Sequence, residues 1–161
     1  MSGAAGRPPP FQEFLEANRA TVYRFLVVAV GPQDADDAFQ ETFIAALRAY
    51  PKVKEPEKLD RWILAIASRK AIDHHRGASR RPVPTGEAPE TPPGGEPEPS
   101  DPGDPLWAAV RELPPRQRVA VVHRHVLDRS YAVIAELMGS SEQTARANVY
   151  QGMKRLKELM T

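Results

Sequence analysis

Apolar residues recur near helical spacing from Phe11 to Val30, where Phe11, Phe14, Leu15, Val22, Phe25 and Leu26 share a face, and Gly31 with Pro32 ends the run. This predicts a first helix. Asp34 then reads as an N-cap, with Asp36 and Asp37 in the first turn of a second helix that Pro51 stops after Tyr50. A polar connector, PKVKEPEK, leads to a third helix from about Leu59 to Arg76. After a long gap in the apolar pattern, a short helix starts near Leu106, breaks at Leu113 to Pro115 and resumes from Arg116 to Leu127. Ile134, Ala135 and Met138 precede Gly139; beyond it Ala145, Val149, Met153 and Leu156 line one face of a final helix, with Ser140 or Ser141 as its N-cap. No segment alternates as a strand does. A short helix, a glycine turn and an amphipathic helix form a helix-turn-helix signature.

The gap itself is informative. From Pro82 to Pro105 nine residues are proline, four are glycine and six are acidic, and only Val83 and Ala88 are apolar. Such a strip cannot bury enough surface to offset its ordering entropy, so it reads as a flexible linker. The expected organisation is an N-terminal tail at 1–10, a helical module at 11–81, the linker at 82–105 and a second helical module at 106–161. The summed charge of +1 conceals a division into about +3, −6 and +4 over residues 1–81, 82–105 and 106–161, so two mildly basic modules flank an acidic strip. The 161 residues contain no cysteine, which excludes disulfides and thiolate metal sites. No apolar run approaches the roughly 20 residues of a membrane span. A soluble intracellular protein with no membrane insertion is expected.

Three constellations can carry chemistry. On the second helix, with Asp37 set at 0°, Gln40 falls at about 300°, Glu41 at about 40°, Ile44 at about 340° and Arg48 at about 20°. An acidic stripe with one aliphatic residue at its centre suits a docking surface, while Ala38, Phe39, Thr42, Phe43, Ala46, Leu47 and Tyr50 are free to pack inward. Carboxylates at 37 and 41 could chelate a cation, but no histidine or third acid joins them on that face of the helix. Asp73-His74-His75 invites a metal-phosphoesterase reading, which lacks the further carboxylates and histidines that such sites present from strand ends. His123 and His125 point in different directions on one helix. On the last helix Gln143, Arg146, Ala147, Tyr150, Gln151 and Lys154 face away from the apolar stripe, with Arg155 beside them. Arginine and glutamine suit base edges, and Lys154 and Arg155 suit phosphates. The third helix ends in Arg69, Lys70, His74, His75 and Arg76, followed by Arg80 and Arg81, more positive charge than a helix C-terminus needs.

The blocks DADDAFQETFIAALRAY, DRWILAIASRKAIDHHR, ELPPRQRVAVVHRHV and SYAVIAELMGSSEQTARANVYQGMKRL, in that order and spacing, resemble those of the bacterial extracytoplasmic-function sigma factors. The resemblance implies an all-α protein in which a region 2 bundle and a region 4 helix-turn-helix are joined by the linker. It implies a transcription initiation factor that is not an enzyme, needs no cofactor and acts in the cytoplasm. Its partners would be core RNA polymerase, at the β′ clamp coiled coil and the β flap, promoter DNA and an anti-sigma factor. Asp37, Gln40, Glu41, Ile44 and Arg48 would dock on the clamp. Arg61, Arg69, Lys70, His74 and Arg76 would follow the −10 element, with Trp62 mostly structural, and Gln143, Thr144, Arg146, Ala147, Tyr150, Gln151, Lys154 and Arg155 would meet the −35 element. Arg69 stands where the family usually has asparagine, and Ser140 where an aliphatic residue usually plugs the turn. Apart from the resemblance, a helix-turn-helix regulator that binds DNA without polymerase fits the same pattern.

Overall fold

The computed structural model describes residues 8–78 and 105–161, with the side chains of 75–78 left aside. Nearly all of the expected tail and linker, the side chain of Arg76, and Arg80 and Arg81 lie outside the described residues. Among those described there are seven α-helices and no strand: α1 Phe11–Val30, α2 Pro32–Ala49, α3 Leu59–Ala78, α4 Pro105–Arg111, α5 Pro115–His125, α6 Tyr131–Met138 and α7 Glu142–Leu159. Short 3-10 turns at Tyr50–Lys52 and Pro56–Lys58 occupy the polar connector.

Gly31 both ends α1 and precedes α2. Its φ of 94° and ψ of 155° carry the chain around the corner, and its N–H donates to Val27 O at 3.0 Å. Proline at the first position of α2 lacks the N–H that would be orphaned there and has its φ already set. The helix therefore starts two residues before Asp34, which lies inside the first turn and not at the N-cap. The expected cap at Ser141 is present, its Oγ accepting from Thr144 N at 3.0 Å.

Helices α1, α2 and α3 form one bundle around Phe14, whose ring lies 5.2 to 6.2 Å from those of Phe11, Phe43, Tyr50 and Trp62. A fully buried ring such as that of Phe14 contributes about 1.5 to 3 kcal/mol. Helices α5, α6 and α7 form the second. There Gly152 brings α7 against α5, since a Cβ on it would lie 2.6 Å from Val121 Cγ2. Gly152 takes the inward position, and Met153, expected inside, is 37% exposed.

The two bundles are packed on one another. Helix α3 lies against α5 and α6, and α1 against α4 and α5. Phe25 of α1 stacks on the His123 imidazole of α5, the ring planes 4° apart and the centroids 4.6 Å apart. Arg118 of α5 donates to Ala29 O of α1 at 2.9 Å and to Arg111 O and Leu113 O at 2.8 and 2.9 Å. These are carbonyls at and just beyond the C-terminal ends of two helices, which a buried cation satisfies. Burial, and secondarily the charge of Arg111, push the Arg118 guanidinium down to about 10, still protonated at neutral pH.

Candidate functional site

Helix α2 divides as its periodicity predicts. Ala35, Ala38, Thr42, Phe43 and Ala46 are buried, and the Thr42 hydroxyl donates to Ala38 O at 2.7 Å. Asp37, Gln40 and Arg48 are exposed, and Ile44 is 49% exposed at the centre of the stripe. Leu47 departs from expectation: it is 55% exposed and widens the apolar centre. At about 280° on the same wheel it stands about 100° from Ala46, near the centre of the inward arc, and about 40° beyond Phe43 at the arc's edge, beside Gln40.

His74 comes to the foot of this stripe from α3. Its side chain is 3% exposed, and Nε2 lies 3.6 Å from Asp34 Oδ1, beyond hydrogen-bond length. One donor atom each from Asp37, Glu41 and His74 lie within 4.8 Å of one another. A histidine therefore does join the two carboxylates, contrary to the sequence expectation, because it arrives from a second helix. The same burial removes His74 from the expected −10 path. Arg69 is exposed, Lys70 partly so, and Arg61 lines a groove with Lys52, Lys54, Lys58 and Trp62. Glu136 of α6 closes that groove from the other bundle, its Oε1 3.3 Å from Arg61 Nη1.

In the helix-turn-helix, α6 starts at a serine cap the sequence reading missed: Ser130 Oγ accepts from Val133 N at 3.2 Å. It ends at Gly139, whose φ of 64° is the left-handed value that glycine adopts without a Cβ penalty. The turn is closed by Ser140 N–H donating to Ala135 O at 2.9 Å. Beyond it Gln143, Thr144, Arg146, Ala147, Tyr150, Gln151, Lys154 and Arg155 are all exposed on α7. Arg146 is held in place at 2.9 Å from Glu142 Oε2, with its guanidinium 4.6 Å from the Tyr131 ring centroid. Arg124 lies 4.3 Å from the same centroid, so one ring serves two cations.

The chain between Val119 and His123 is wholly buried. His123 Nε2 is 2.7 Å from Ser68 Oγ, and Ser68 donates its only proton to Leu64 O at 2.7 Å. The imidazole must therefore carry its proton on Nε2 and donate to Ser68. Burial, aided by the charge of Arg129, pushes His123 down to about 3. The run of valines before His123 was the sequence signal for this burial.

Residues 14–81 match the Sigma-70 region 2 family, and residues 104–156 match Sigma-70, region 4. The chain is 31% identical over 159 residues to the ECF RNA polymerase sigma factor SigC of Mycobacterium tuberculosis (strain CDC 1551 / Oshkosh), covering 92% of this chain and 82% of that one. It is 32% identical over 135 residues to the RNA polymerase sigma factor CarQ of Myxococcus xanthus, covering 78% and 74%. Among solved structures, the sigma factor RpoE crystallised with the anti-sigma factor NepR from Bartonella quintana has a similar fold. Its TM-score is 0.70 at 19% identity, over 93% of this chain and 96% of that one.

Proposed function

The chain belongs to the extracytoplasmic-function sigma factors of RNA polymerase, and from that premise we propose how its surfaces divide the work of initiation. A member of this family binds core polymerase and directs promoter-specific transcription; the family is one of transcription factors, not of enzymes. In the proposed division, Asp37, Gln40, Glu41, Ile44 and Arg48 dock on the clamp coiled coil of polymerase, with Leu47 added to the apolar centre. Arg61, Arg69 and Lys70, with Arg76, follow the −10 strand. The exposed face of α7 reads the −35 element. Work on promoter DNA beside polymerase makes the cytoplasm its place of action, and no helix among the described residues is long and apolar enough to cross a membrane.

The observation that carries the docking assignment is Ile44. A half-exposed aliphatic side chain ringed by Asp37, Gln40, Glu41 and Arg48 is what an interface anchor with a polar rim requires. Run-off transcription by core polymerase with and without the chain, over a promoter library, tests the whole assignment. Transcripts from a defined subset of promoters only when the chain is present are expected; an Ile44→Glu chain that folds and supports the same transcripts would remove α2 as the docking element.

A further inference from the structure

Asp37 and Glu41 are one helical turn apart on α2, and His74 reaches them from α3 with its imidazole almost wholly buried. His74 Nε2 has no hydrogen-bond partner. A third acid, Asp34, sits 3.6 Å from that nitrogen. Buried polar nitrogens nearly always have a partner, and this imidazole stands beside two carboxylates with which it can share a cation. We propose that Asp37, Glu41 and His74 form a binding site for a divalent transition-metal ion, on the same stripe that docks polymerase.

The donor set identifies the ion's class. An imidazole nitrogen with two carboxylate oxygens suits zinc and its neighbours, whereas magnesium and calcium take oxygen ligands. Two carboxylates balance a +2 charge, and three protein ligands leave an open position for water. Donors about 2.1 Å from a tetrahedral ion are roughly 3.4 Å from one another. The three atoms lie within 4.8 Å of one another, so the site requires them to draw together by about an ångström or more. Burial holds the imidazole in place, so the acids close onto a fixed nitrogen. The described residues hold no other group of three such side chains, and the chain has no thiolate to compete.

The consequence for regulation rests on the docking reading. A bound ion neutralises the two acids and pulls them inward toward His74, so the metal-loaded chain presents a different stripe to polymerase. Metal binding and polymerase binding then exclude one another.

The full-length chain, freed of metal with a chelator, should be titrated with Co2+ and followed by visible absorption, then challenged with Zn2+ or Mg2+. One equivalent of Co2+ with a low-symmetry ligand-field band, displaced by one equivalent of Zn2+ and not by Mg2+, is expected. Asp37→Asn/Glu41→Gln and His74→Asn chains should each lose more than about a hundredfold in affinity, beyond the roughly 10- to 100-fold that removal of an outer-sphere partner costs. The carboxylate pair lies at the surface, so its variant keeps the test open if the histidine variant fails to fold. Absence of the band, or equal affinity in the folded carboxylate variant, overturns the site. Polymerase association should fall at least tenfold on addition of one equivalent of Zn2+; no change overturns the regulatory consequence. Association of the Ile44→Glu chain in metal-free buffer, measured in parallel, tells separately whether the docking reading stands.

Discussion

Ser68 of α3 and His123 of α5 form a hydrogen bond of 2.7 Å between the two bundles, with both side chains buried. The serine's own proton is committed to Leu64 O, which makes the histidine the donor and requires it to be neutral on Nδ1. Phe25 covers the ring face, and Arg129 adds positive charge nearby. A proton arriving on this imidazole would have to be buried in apolar surroundings beside a like charge. The contact between region 2 and region 4 is therefore built on an uncharged histidine.

Acid should loosen the packed chain. The folded His123 value of about 3 lies below the ordinary 6.5, so between those limits the unfolded or separated state binds more protons and stability falls as pH falls. Above pH 6.5 this histidine contributes no slope. At pH 5 the loss is about 2 kcal/mol, from 1.36 kcal/mol per unit. Urea unfolding of wild type and His123→Gln between pH 7 and 5 measures it. The variant should be less stable at pH 7 and should show the smaller slope; equal slopes would place His123 in contact with water.

Charge reversal at Asp37 and Glu41, or Ile44→Glu, should weaken association with core polymerase by roughly 30-fold or more, the equivalent of about 2 kcal/mol for an interface anchor. Exposure of Asp37 and Ile44 means the fold should survive these changes. Competition against a labelled sigma factor for core enzyme gives the number, and circular dichroism checks the fold. Normal competition by a folded triple variant rejects the assignment.

Ile44 was legible before any coordinates because one helix's periodicity decides it: the buried alanines and Phe43 take one arc, and residue 44 lies opposite. Leu47 was misjudged because hydrophobicity was allowed to override its angle, and it sits outside that arc. The trio Asp37, Glu41 and His74 could not be read from one helix, since Glu41 and His74 stand 33 positions apart and only the packing of α3 on α2 joins them. The sequence places Arg118 and His123 in the second helical module. What buries them is α1 and α3 of the other bundle, and a proline-rich strip in the sequence says nothing about how the modules it links will dock.

On the −35 side, Arg146→Ala should cost about 1 to 3 kcal/mol at one promoter position and relax preference there, whereas Lys154→Ala or Arg155→Ala should weaken binding to all sequences and lower the salt slope by about one ion each. Arg146 is already oriented by Glu142 and Tyr131. Glu142→Gln should therefore leave the preferred base unchanged and weaken selectivity by a few tenths of a kcal/mol, the worth of an exposed i,i+4 pair. Holoenzyme binding to a randomised −35 library, repeated at two salt concentrations, separates these effects. A preference profile unmoved by Arg146→Ala places base reading elsewhere on α7.

Arg61 and Glu136 allow the packed arrangement itself to be tested. The groove that holds Arg61 also presents Lys52, Lys54 and Lys58, a set of cations beside the Trp62 ring, which suits a single-stranded phosphate backbone and an unstacked base. Glu136, delivered by α6, stands where a phosphate would and lies 3.3 Å from Arg61. Both side chains are more than a third exposed, so the pair contributes at most about 1 kcal/mol and biases the packing without locking it. A −10 strand that enters the groove must displace that carboxylate, and region 2 and region 4 must part to reach elements lying some tens of ångströms apart on DNA. Glu136→Gln should therefore raise the affinity of the free chain for a single-stranded −10 oligonucleotide by about two- to fivefold, within the worth of one exposed pair. Arg61→Ala should lower it and flatten its salt dependence. Fluorescence anisotropy on the full-length chain reads both. Should assembly into holoenzyme part the two regions, the gain from Glu136→Gln is expected to vanish while the loss from Arg61→Ala persists. A Glu136→Gln effect of equal size in the free chain and in holoenzyme would mean that the glutamate acts on DNA directly and not through the packing of α6 on α3.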